Sequence, residues 1–321
     1  MGTNPPSQTI PPTFVHMPPV ALSGNLFADL EAALRAHGIS DVGAYLDRFK
    51  VCRGIRMYAG EDGILSKNGF PACQPEQIGN EVWRTIELSE TFISWVWICA
   101  YYFNVNRQHM LVVHGRSTSD PALSKALQSA NDLMSYGESL FHTRNEWPTA
   151  LPSPENVIVE LQEFTEQSNA LYVAAMQFIV LHELGHGVYG HSGTKGTLSI
   201  QQEQDADDYA IDIWGSFAAQ SPSDNHLHTL QQGACIAFLA LVYIPEATKP
   251  SSTHPPLDQR LDKLLHAFQL EDNSIVWYMA AQCLQHWTKK QFDKTLEDAP
   301  SMVSARDYYN AIRVHLTYLL A

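Results

Sequence analysis

The chain has 321 residues, of which 45% are hydrophobic and 17% charged, with a formal net charge of -14 and a pI of about 5.4. This composition is globular rather than disordered, and the length allows a sizeable core in one large or two ordinary domains. No block of Lys and Arg stands out, which excludes a nucleic-acid footprint and argues against an anionic membrane surface.

Six prolines in residues 1–20 make that stretch a disordered, proline-rich arm. It has neither the basic start nor the apolar run of a secretory signal. Asn25–His37 reads as an amphipathic helix closed by Gly38, and Ser40–Phe49 as a short helix capped by Ser40. Val51–Ala59 is a strand candidate and Gly60–Gln77 a loop. Glu81–Asn104 reads as a strand passing into a buried helix in which Trp95, Trp97, Tyr101 and Tyr102 are core. His109–His114 has the look of a short strand, and Pro121–Phe141 of a helix. Pro148, Pro152 and Pro154 mark an internal boundary. It divides an α/β region, residues 21–145, from a helical domain, residues 146–321. Within that domain the helical stretches are Val157–Tyr189, Ser199–Phe217, Leu227–Tyr243, Leu257–Phe268, Ser274–Phe292 and Ser304–Leu320. Ser199 and Gln202 have capping-box spacing, and His191–Leu198 is a loop. The longest apolar runs, Phe92–Phe103 and Ala234–Pro245, fall short of the ~18 residues needed to cross a bilayer. Cys52, Cys73, Cys99, Cys235 and Cys283 are dispersed and form no C-x-x-C, which implies reduced thiols and a cytoplasmic setting.

The chemistry concentrates at His182-Glu183-Leu184-Gly185-His186, an H-E-x-x-H motif near the end of a long helix. Positions i and i+4 share one helical face, so two imidazoles can grip one ion while Glu183 sits beside it, where it can act on a bound water. The bare motif arises by chance roughly 0.03 times in a chain of this composition, so a third ligand decides its meaning. Catalytic zinc takes three protein ligands and keeps one open position.

The next helix offers Glu203 and Asp207, again i and i+4. Packed antiparallel, it would bring Glu203 to the metal and Asp207 to the outer N–H of a ligand histidine. Asp205 and Asp208 point elsewhere and belong to a solvated first turn. His191 follows His186 by five residues rather than the six of the metzincin pattern, and reads as a loop residue or helix-end cation. Ser252-Thr253-His254-Pro255-Pro256-Leu257-Asp258-Gln259-Arg260 then leads into an amphipathic helix. On the residues alone, His254 is a surface histidine and Arg260 an ion-pair residue.

In order, H-E-L-G-H-x-x-x-G-H, E-x-x-A-D and S-T-H-P-P-L-x-x-R resemble the HtpX/CAAX-prenyl-protease family of gluzincins and its soluble minigluzincin relatives, over about residues 170–265. Size and layout are also similar to the Lit phage-exclusion protease family. The resemblance implies an α+β, mainly α fold: a gluzincin-like zincin core of packed helices with a small sheet. It implies Zn²⁺ held by His182, His186 and Glu203, with Glu183 as general base and acid. His254 would lie near the substrate or oxyanion, and Asp207 and Arg260 would give structural support. The expected activity is a zinc-dependent endopeptidase acting on a protein or peptide, with no nucleic acid, no integral membrane segment and a possible regulatory partner on residues 21–145. The alternative is a catalytically silent zinc-fold regulatory or interaction protein, such as a stress or phage-defence module.

Overall fold

The computed structural model describes residues 17–59, 63–65, 69–113, 121–191, 199–242, 244, 257–293 and 304–320. The described residues are mainly helical with one three-stranded sheet, as expected for the α+β, mainly α class. A short helix, α1 (Pro19–Leu22), leads into α2 (Leu26–Ala36) and α3 (Val42–Phe49). The α3 cap is Asp41, whose side chain accepts from the Ala44 N–H, and not the expected Ser40. A carboxylate one residue nearer the helix takes the role, and it also favours the positive end of the helix dipole.

The strands are β1 (Val51–Tyr58), β2 (Ala72–Ile78) and β3 (Glu81–Ser89), in the order β1-β3-β2, with β1 parallel and β2 antiparallel to β3. β2 lies inside the stretch expected to be loop. Its Pro75 is exposed on an outer strand, where a missing N–H leaves no gap in the ladder. Next comes α4 (Glu90–Val113), so His109–Val113 is the end of a helix rather than a strand. Its first four turns are buried all round, Trp95 and Trp97 included, and Val112 and Val113 extend that helix as its less buried last turn despite their strand preference. His114 lies outside the described residues.

The remaining helices are α5 (Leu123–Ser139), α6 (Gln162–Val188), α7 (Ile200–Ala218), α8 (Asp224–Val242), α9 (Leu257–Ala267), α10 (Ile275–Phe292) and α11 (Ala305–Leu320). α7 begins with the expected capping box: Ser199 Oγ accepts from the Gln202 N–H, and the Gln202 side chain accepts from the Ser199 N–H. α6 is the axis of the core and packs against α4, α7 and α8. It runs antiparallel to α7, with Gly185 meeting Ala206 and, further up, the Phe178 ring meeting Trp214. A Cβ on Gly185 would come within 3.0 Å of Ala206 Cα, so the small pair sets how close the two helices lie. On its other side, Gly187 admits the sheet, because a Cβ there would meet Val51 Cγ2 at 2.9 Å and Cys73 Sγ at 3.1 Å. The end of α6 is thus held between α7 and the sheet. Among the described residues no helix is long and apolar enough to cross a membrane, and the five cysteines are free.

Candidate metal centre

The last turns of α6 and the first turns of α7 bring His182, His186 and Glu203 together. His182 Nε2 and His186 Nε2 are 3.2 Å apart, with the two rings nearly perpendicular at 89°. Glu203 closes the triangle, with Oε2 at 3.6 Å from His182 Nε2 and Oε1 at 3.6 Å from His186 Nε2. Donors about 2.0–2.1 Å from a tetrahedral zinc lie about 3.3 Å from one another, so this triangle fits a zinc ion. Two imidazoles and one carboxylate also match zinc in donor chemistry. The close approach of Gly185 to Ala206 delivers the fit, because it places Glu203, one turn before Ala206, against the histidine face.

Behind His182 stands a buried ion network. Its Nδ1 faces Asp207 Oδ1 at 3.0 Å. Arg260, from the start of α9, donates to the same carboxylate twice, Nε to Oδ2 at 2.7 Å and Nη2 to Oδ1 at 2.8 Å. The Arg260 Nη2 is also 3.6 Å from Glu203 Oε2, and its guanidinium lies over the Phe238 ring. This planar fork matches a carboxylate as a lysine could not.

Burial opposes charge at each of these groups, and the network outweighs it for three of them. His182 is pulled down by burial but driven up to about 10 by Asp207 and Glu203. Glu203 is raised by burial and brought down to about 2 by His182 and Arg260. Asp207, likewise raised by burial, is held well below the usual carboxylate range by Arg260 and His182. His186 moves the other way: burial and the neighbouring His182 charge lower it to about 3, so it stays neutral with a lone pair to give. Glu183, only 7% exposed, lies on the flank of the site, where its charge reaches Cys73 of β2 and Arg260.

A profile of the family Peptidase U49 matches residues 86–280, more than half of the chain, and that span contains the donor triangle and its ion network. The chain belongs to the peptidase U49 family. The cell death peptidase of Escherichia coli (strain K12) is 20% identical over 230 residues, covering 70% of this chain and 76% of that protein. No solved structure matches. Of the two resemblances in the sequence, the U49 match supports the Lit phage-exclusion type.

Within this U49 peptidase, the structure brings five of the seven expected site residues into one network: His182, His186, Glu203, Asp207 and Arg260. Glu183 stands beside them, and His254 lies outside the described residues. His191 is the non-helical residue just past the end of α6, as expected, but its contact with the site was missed: its Nδ1 is 3.0 Å from His186 Nδ1. Asp205 does not simply face solvent, because its Oδ2 is 3.7 Å from His191 Nε2. The sequence signal for the His191 contact was Gly190, a helix-ending glycine followed directly by a histidine.

Proposed function

We propose that this U49 peptidase is a zinc-dependent endopeptidase. The observation that carries this reading is the convergence of His182 Nε2, His186 Nε2 and a Glu203 oxygen at distances suited to one tetrahedral ion. Zinc held by these three residues would polarise the scissile carbonyl and acidify the attacking water. Glu183 takes the proton from that water and returns it to the leaving amine nitrogen, one carboxylate serving as base and then acid. Its burial limits competition from bulk solvent for that proton. With the metal bound, Asp207 and Arg260 would keep the remaining His182 proton on Nδ1 and leave Nε2 to the ion. His254, in the segment before α9, donates to the developing oxyanion. Residues 21–145, which include the sheet against the end of α6, recognise the protein or peptide substrate or a regulatory partner, in a cytoplasmic setting.

The test is metal removal. Chelator-stripped protein should lose cleavage of casein or a peptide library, and zinc should restore it. Cleavage that is unchanged after complete stripping would overturn the reading.

A further inference from the structure

α6 stops in a defined way. Gly190 takes φ +68, the Gly190 N–H bonds to the Gly187 carbonyl at 3.2 Å, and the His191 N–H bonds to the His186 carbonyl at 3.0 Å. This pair of bonds is a Schellman motif. It sets the residue after the left-handed glycine against the side chain one turn back, usually as an apolar contact. Here the two positions are His191 and His186, and the contact is imidazole on imidazole, Nδ1 to Nδ1 at 3.0 Å.

The proton positions follow from this geometry. A His186 that gives its Nε2 lone pair to a metal carries its proton on Nδ1. His191 Nδ1 must then be the acceptor, and its own proton must sit on Nε2. Asp205 Oδ2 lies 3.7 Å from that Nε2, a charge contact that favours the proton there. Asp205 is itself oriented, since its Oδ1 accepts from Gln201 Nε2 at 2.8 Å. Tyr189 stacks on the His191 ring with centroids 5.6 Å apart and fixes its plane. His191 is not a fourth ligand, because its near nitrogen faces the back of His186 and not the Nε2 side.

We infer that His191 is a positioning residue for His186: by accepting at Nδ1 it fixes the tautomer that points the Nε2 lone pair at the metal, with Asp205 orienting His191 in turn. The inference rests on the metal-site reading above, and its test separates the two. Zinc affinity of the full chain is measured by competition with a chromophoric chelator for wild type, His191→Phe and His191→Asn. Phe keeps a ring but has no acceptor, whereas Asn restores an acceptor oxygen near the Nδ1 position. His191→Phe should bind zinc about 10- to 100-fold more weakly, and His191→Asn should stay within about threefold of wild type. Nitrogen-15 NMR of the wild-type histidines should find His191 protonated on Nε2 and bare at Nδ1, a readout that survives if a variant fails to fold. Equal zinc binding by His191→Phe, no recovery in His191→Asn, or a His191 proton on Nδ1 would each overturn the role of His191 while leaving the metal site standing. A wild-type chain that binds no zinc would overturn the metal site and this inference with it.

Discussion

The two histidines of the H-E-x-x-H motif are held from behind by opposite means. His182 leans on Asp207, which Arg260 clamps in a bidentate pair, and both members of that pair are buried. His186 leans on a neutral ring, His191, whose carboxylate Asp205 is 38% exposed and touches it only at 3.7 Å. One support is a charged network within the core and the other is the capped end of a helix. A buried ion pair is costly to break, because the surviving partner is left as an unpaired charge, whereas a partly exposed one is screened and contributes little. The motif is therefore anchored at its first histidine and adjustable at its second.

The comparison is broken most severely by Arg260→Leu. With two buried carboxylates, Asp207 and Glu203, left to share the single His182 charge, the metal-free chain should lose about 3–5 kcal/mol in urea unfolding. Asp205→Asn, the matching cut on the other side, should cost less than about 1 kcal/mol. Equal losses would erase the distinction.

Smaller is the effect of Gly185→Ala. The added Cβ would press on the Ala206 backbone, cost about 1–3 kcal/mol, and weaken zinc binding by pushing Glu203 away from the histidines. Unchanged zinc affinity would show that the spacing of α6 and α7 does not set the site.

The charge balance of the same network is read by pH. Glu203 is lowered to about 2, so its contribution to metal-free stability is present above its ordinary value near 4.5 and fades as pH falls towards 2. His182 is raised to about 10, so its contribution is complete below its ordinary 6.5 and lost as pH rises through about 10. Stability measured from pH 2 to 11 should fall at both ends. The His182 proton must also leave when zinc binds, so calorimetry at pH 7 in buffers of different ionisation enthalpy should find about one proton released.

Much of the site was legible because its logic is local. H-E-x-x-H and Glu203-x-x-Ala-Asp207 are i, i+4 pairs whose shared face follows from helical pitch, and Ser199 with Gln202 announced the start of α7. Arg260 was named through a resemblance, and its fork on Asp207 became visible only when α9 met α7. β2 was missed because Pro75 and the surrounding glycines read as loop, while the ladder with β3 that makes it a strand is a non-local pairing. The end of α4 was misread because Val112 and Val113 favour strands, whereas here they continue a helix whose buried part ends at Val105. His191 escaped for a different reason. It was tested against a ligand register and failed, whereas its contact with His186 arises from the hydrogen bonds that end the helix.

The most direct measurement is zinc stoichiometry paired with cleavage in Glu183→Gln. The variant should retain one zinc per chain and lose about 10²- to 10⁴-fold in cleavage rate, because the ligands remain and only the proton carrier is gone. Wild-type turnover in that variant, or loss of its zinc, would contradict the division between the residues that hold the metal and the one that moves the proton.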